Sequence, residues 1–110
     1  MACNVVMTRL AQRQLAQHVA YIRVHLKNPQ AAKAVTEDAR ETKKALLTVA
    51  ESLDYCGDPD LRALGYRSIG FRRHRYLFIY EIRDNTIIIE AVYHELQDYE
   101  NTFKREALGL

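Results

Sequence analysis

Tryptophan is absent from this chain, and proline, cysteine and glycine are scarce, at 2, 2 and 4 of 110 residues. So few breakers exclude a loop-dominated or collagen-like chain, and two cysteines exclude a disulfide-stapled scaffold. Cys3 and Cys56 lie far apart without CxxC spacing, which speaks against a zinc cage or a thioredoxin-type site and for reduced, structural thiols. No apolar run approaches a spanning helix, and Met1 is followed by no basic-then-apolar leader, so a cytoplasmic protein without membrane attachment is expected. A Walker loop, GxGxxG, HExxH and GxSxG are all missing, and Asp58, Asp60, Asp84 and Glu90 are too scattered to argue for magnesium. Neither a cofactor nor a metal is expected. The net charge of +2 is too small to mark a nucleic-acid binder, so the distribution of charge must decide.

What is present fits one domain over residues 1–110, with 48% apolar and 27% charged residues. Cys3 to Met7 is short and valine-rich and reads as a strand. Thr8 can cap a helix on which Leu15, Val19, Ile22 and Leu26 recur at helical spacing, ending near Lys27. Asn28-Pro29 then supplies an N-cap and a proline at the first helical position. In the helix that follows, Ala32, Val35, Ala39, Thr42, Leu46, Val49 and Leu53 form a narrow stripe, which predicts an antiparallel helical hairpin. Cys56-Gly57-Asp58-Pro59 is expected to end it.

The apolar period then changes to two. Tyr66 to Phe71, Arg75 to Ile82 and Thr86 to Tyr93 read as three strands, the last two joined by a tight turn at Asp84-Asn85. Strict alternation puts Ile87, Ile89, Ala91 and Tyr93 on one face and Ile88, Glu90, Val92 and His94 on the other. One face should pack on the hairpin and leave the other to solvent or a ligand. Asp98 to Leu108 predicts a short C-terminal helix. The class is therefore α+β: an N-terminal strand, a helical hairpin packed on a small antiparallel sheet, and a short last helix.

Candidate chemistry gathers near the second half of the sheet. Arg67, Arg72, Arg73 and Arg75 occur with His74 among the aromatics Tyr66 and Phe71. Arginine binds phosphate through paired hydrogen bonds and aromatic faces stack unpaired bases, a combination suited to single-stranded RNA. The plain alternative is a hairpin tip charged because it is solvated, or charged to block edge pairing. His94 ends the last predicted strand with Tyr99 five residues on. An imidazole and a phenol there can move protons, or the histidine can simply anchor a strand end. Metal-free phosphodiester cleavage needs a base, cations for the extra phosphate charge and an acid. Arg67, Arg75 and His94 or Tyr99 supply the last two, and no base is evident. His18 and His25 lack the i, i+4 spacing of helical zinc ligands and read as surface residues.

From Val5 to Phe103 the chain resembles the RelE/ParE superfamily of toxins from bacterial type II toxin–antitoxin modules. The marks are Leu26-Lys27-Asn28-Pro29 with Ala31-Ala32, Gly65-Tyr66-Arg67, the Tyr76 to Tyr80 strand, and Val92-Tyr93-His94 with Asp98-Tyr99. The resemblance implies a plasmid-stabilisation type of module, in which a small cognate antitoxin protein neutralises the toxin. RelE-like members cut mRNA in the ribosomal A site without metal, whereas ParE-like members inhibit DNA gyrase. By RelE-type carry-over Arg67, His94 and Tyr99 match a strand cation, the late histidine and the C-terminal tyrosine. The chain departs from that pattern at Leu77 and Ile69, where basic residues are expected, and Arg75 stands as the substitute cation. The expected activity is ribosome-dependent cleavage of mRNA by Arg67, Arg75, His94 and Tyr99, with Arg72, Arg73, Tyr66 and Phe71 binding the nucleic acid. The alternatives are a gyrase inhibitor and a detoxified antitoxin-binding homologue.

Overall fold

A computed structural model describes residues 4–110, so Cys3 and the start of the expected first strand lie outside the described residues. The element order is β1 (Asn4–Met7), α1 (Arg9–Ala20), α2 (Pro29–Val49), α3 (Pro59–Ala63), β2 (Arg67–Gly70), β3 (Tyr76–Arg83), β4 (Thr86–His94) and α4 (Tyr99–Phe103). The sheet runs β1-β4-β3-β2. The three later strands are antiparallel, but β1 joins β4 in parallel, with Val5 opposite Ile87 and Met7 opposite Ile89. The α+β class and the helical hairpin expected from the sequence are both found, and the sheet is mixed rather than purely antiparallel.

The helix starts form as their residues predict. Thr8 Oγ1 accepts from the Ala11 N–H at 3.1 Å, and Asn28 Oδ1 accepts from the Ala31 N–H at 3.0 Å with Pro29 at the first helical position. Beyond Ala20 the first helix widens, and the Leu26 N–H bonds the Tyr21 carbonyl five residues back. That extra residue shifts the helical phase, so Leu26 is 58% exposed instead of continuing the buried stripe. Lys27 then takes a left-handed φ of 50°, which turns the chain directly into α2.

The predicted stripe of α2 is buried at Ala32, Val35, Ala39, Thr42 and Leu46, and it includes Asp38. The helix stops at Val49 and tightens into a short turn over Ala50–Ser52, earlier than the Cys56-Gly57-Asp58-Pro59 signal suggested. Those residues begin an element instead of ending one. Asp58 Oδ1 accepts from the Asp60 and Leu61 N–H groups, and Pro59 opens α3 in the same way that Asn28-Pro29 opens α2.

Both faces of the sheet are covered, contrary to the expectation of one open face. In β4 the partners of Ile79 and Tyr80 are Ala91 and Ile89, which leaves Glu90 as the extra residue of a β-bulge. A bulge reverses the alternation that follows it. Ile87, Ile89 and Val92 therefore join Phe78 and Tyr80 in the core under the helical hairpin, while Ala91 and Tyr93 turn to the other face beside Leu77 and Ile79. The apolar surface so created is covered by Leu61, Tyr66, Cys56 and Phe103. Polar ties hold that cover down: Lys104 Nζ donates to Asp58 and Asp60 at 2.9 Å each, Glu100 accepts from the Asp58 N–H at 2.9 Å, and the Tyr93 hydroxyl donates to Glu106 at 3.0 Å. The buried Cys56 thiol is free, and burial pushes it up to about 11.

Candidate functional site

The β2–β3 hairpin presents its arginines through one buried carboxylate. Asp38 is completely buried, with Oδ1 accepting from the Arg72 N–H at 3.2 Å and Oδ2 from the Arg73 N–H at 2.9 Å. His74 Nδ1 lies 2.7 Å from Oδ2, and the imidazole is the donor because an ionised carboxylate only accepts. Burial by itself would push the Asp38 carboxyl up, but the His74 imidazole and the two backbone N–H groups outweigh it and hold it below the ordinary range. The backbone of the tip is thus pinned to α2 while the Arg72, Arg73 and Arg75 side chains point into solvent. Arg73 sits 3.6 Å from Glu41, whose Oε2 is buried, and Arg75 pairs with Glu95 at the surface. Among the described residues Arg72 makes no ion pair.

Beside the tip, at the same end of the sheet, lies a column of rings. Tyr76 meets His18 and His94 edge-on, with ring centroids 4.9 and 5.1 Å away, and Phe71 is tilted against it at 5.8 Å. His18 is half-buried, not a surface residue. Its Nε2 donates to the Val92 carbonyl at 3.3 Å, and burial lowers its basicity despite that bond, with His94 adding to the lowering. His94 Nδ1 accepts from the Leu96 N–H at 3.1 Å, which puts the proton of the neutral ring on Nε2. The His94 N–H in turn donates to Gln97 Oε1 at 2.8 Å. His94 therefore organises the turn that leaves the sheet.

Of the residues expected to act together, Arg75 and His94 lie at the same end of the sheet, where the Glu95 N–H bonds the Arg75 carbonyl at 2.8 Å, and Arg67 and Tyr99 lie apart from them. Arg67 pairs with Tyr80 and not with the tip. Tyr80 and Tyr76 are four residues apart on β3, which places Arg67 about 13 Å along the strand from the His94 end. Its guanidinium is occupied there. Nη1 donates to the Glu51 and Leu53 carbonyls at 3.0 and 2.7 Å, Nη2 donates to the Tyr55 hydroxyl at 2.9 Å, and the group lies 4.1 Å above the Tyr55 ring. Tyr99 packs on the second core, where burial raises its hydroxyl pKa, whereas His94 faces the helical hairpin with Tyr76. His94 and Tyr99 thus lie on opposite faces of the sheet.

Tyr66 and Phe71, expected to stack bases, are core rings. Tyr66 is 8% exposed and edge-on to Phe103, and Phe71 is 8% exposed and edge-on to Phe78. Neither offers a free face. Arg72, Arg73 and Arg75 alone keep the exposure that was expected of them. Asp38 was not singled out in the sequence, although it lies three residues after Val35 and four before Thr42, inside the buried stripe. A carboxylate at such a position signals a polar contact made within the core.

A second feature lies between the helices and β1. Met7, Leu15 and Phe78 line an apolar groove whose rim carries Arg40 and Lys43, and it continues past Val5, Lys44 and Leu47. Leu47 is 46% exposed and Val6, on the open edge strand, 43%.

Comparison with known proteins gives a consistent answer. The family model described as the ParE toxin of type II toxin-antitoxin system, parDE, matches residues 5–99. Among solved structures, one described as the chromosomal ParDE TA system from P. aeruginosa superposes with a TM-score of 0.69 at 22% identity, covering 86% of this chain and 96% of that chain. At that identity the likeness speaks for the fold. No curated protein matches the sequence.

Proposed function

Because the chain belongs to the ParE toxin family of type II toxin–antitoxin systems, we propose that it poisons its target by binding, as a gyrase inhibitor, and not by cutting mRNA. The observation that carries this reading is the engagement of Arg67. A nuclease without metal needs a cation and proton-transfer groups around one phosphate. Here Arg67 clamps the Glu51–Tyr55 segment roughly 13 Å away from His94, and Tyr99 packs on the other face of the sheet. With Arg67 and Tyr99 engaged elsewhere, only Arg75 remains at the His94 end of the sheet, and that favours a surface that grips a protein over one that performs chemistry.

Induction in a bacterium lacking the antitoxin, with plasmid supercoiling and translation followed separately over the first minutes, tests this reading. Loss of supercoiling should come first, with mRNA on ribosomes intact. Early mRNA cleavage with normal supercoiling would restore the nuclease reading, and growth unaffected by either route would make the protein a detoxified antitoxin-binding homologue.

As a type II toxin the protein has a cognate antitoxin. The groove between α1, α2 and β1 suits an amphipathic acidic segment of that antitoxin, because an apolar floor of Met7, Leu15 and Phe78 is bordered by Arg40, Lys43 and Lys44. A Lys43→Glu and Leu47→Asp double variant should weaken antitoxin binding by about 100-fold in titration calorimetry while leaving toxicity intact. Undiminished affinity would move the antitoxin to another surface.

A further inference from the structure

We propose that the Arg72–Arg75 tip is a pre-organised docking surface for a carboxylate-rich protein segment, with Asp38 as its positioning residue. The inference deepens the binding-toxin reading and rests on it for the identity of the target, but not for the chemistry of the surface. Exposed arginines at a hairpin tip are ordinarily mobile, and a mobile cation loses side-chain and loop entropy when it binds. This tip is different because its backbone is fixed from beneath. Two consecutive N–H groups and an imidazole converge on one fully buried carboxylate, so the turn Arg72–Arg73–His74 is held against α2 before any partner arrives. Asp38 contributes nothing to the outer surface itself and sets only where the arginines stand.

The surroundings favour a protein over a nucleic acid. The aromatic rings beside the tip, Phe71 and Tyr76, are packed inward against other rings and do not present stacking faces. Glu41 and Glu95 stand beside Arg73 and Arg75 and pair with them. Leu96, next to Glu95, is 71% exposed. An exposed leucine beside the Arg75–Glu95 pair adds apolar area to an arginine surface, and arginine is enriched at protein–protein contacts. The pair of Arg75 with Glu95 is solvent-exposed and of the weak kind, so a partner's carboxylate can replace it.

The test uses two labelled probes and the purified toxin. The first is a twelve-residue peptide of glutamate and leucine, and the second is a single-stranded oligoribonucleotide of equal charge; binding is read by fluorescence anisotropy. The wild type should prefer the peptide, and Arg72→Glu with Arg73→Glu should weaken peptide binding by about tenfold or more without changing the melting temperature. Asp38→Asn should also weaken it, whereas Leu46→Val, a core control on the same helix, should leave peptide affinity unchanged despite its loss of stability. His74→Ala, which removes only one of the three bonds to Asp38, serves if Asp38→Asn does not fold, and should weaken binding in the same direction. Equal peptide affinity in the double arginine variant would overturn the surface, and a preference for RNA would overturn the protein partner. An equal loss of affinity in Leu46→Val would overturn the positioning role of Asp38. A parallel supercoiling assay separates the two proposals: a wild type that binds the peptide through the tip but leaves gyrase active overturns the gyrase reading and sustains this one.

Discussion

Asp38→Ala is expected to destabilise the fold by roughly 3 kcal/mol at neutral pH. The substitution leaves the Arg72 and Arg73 N–H groups without their acceptor and takes the partner from His74 Nδ1, in a pocket where Asp38 had no exposure. Its sign with pH follows from the lowered carboxyl pKa. A group whose folded pKa lies below its ordinary 3.8 contributes stability above that value and loses it as pH falls through the folded pKa. The gap between wild type and variant should therefore be full at pH 7 and narrow as pH falls from 3.8 through the lower folded pKa. His18, whose basicity is lowered by burial, also costs the fold stability as pH falls below 6.5, but it does so equally in both proteins. Urea unfolding followed by circular dichroism at pH 7 and down to about pH 2 measures the difference. A gap under 1 kcal/mol at pH 7, or one that does not narrow in acid, would mean that Asp38 is not an ionised cap.

Glu90→Gln is expected to act in the opposite direction, stabilising the protein by roughly 2 kcal/mol at pH 8 and by much less at pH 5. Glu90 is the bulge residue of β4, half-buried, with the Glu81 carboxyl beside it. Burial first, and then the hydrogen bond and charge of Glu81, push Glu90 up to about 8, while Arg83, bonded to Glu81 at 2.9 Å, pulls it down in part. A folded pKa above the ordinary 4.5 means that the native state holds a proton that the unfolded chain has released. Stability from this group is thus complete below pH 4.5 and is lost as pH rises through about 8. Glutamine keeps the neutral form's shape without the proton dependence, so the alkaline decline of the wild type should flatten in the variant. Chemical unfolding at pH 5, 6.5 and 8 reads this directly, and parallel stability curves for the two proteins would show that Glu90 ionises freely in the fold.

The site was only partly legible in the sequence because its members depend on contacts distant along the chain. Arg72, Arg73 and Arg75 could be read as an exposed cluster, since turn residues between two strands are solvated whatever packs beneath them. Tyr66 and Phe71 could not be told from stacking platforms: an aromatic near a strand end is buried or open according to what covers it, and Phe103 and Phe78 cover these two. Arg67 looks like a phosphate ligand in sequence, but its role is set by the return of the Glu51–Tyr55 segment to β2, where Tyr55 bridges to Arg67 itself.

Local chemistry determined the class of this protein. Thr8, Asn28-Pro29 and the two helical stripes specify the hairpin, and Asp84-Asn85, both with left-handed φ, specify the tight turn between β3 and β4. These signals act within a few residues and need no partner, so they can be read directly. The tertiary structure decided the sheet's two-sidedness. One extra residue at Glu90 reverses the side-chain alternation after it, and that reversal turns Ala91 and Tyr93 outward and gives the C-terminal helix a surface to cover. A bulge leaves no mark in a sequence whose residues are apolar on both parities, because Ile88, Ile89, Ala91 and Val92 satisfy either face. Pairing with β3 selects one register, and the helix above and the helix below that sheet follow from it.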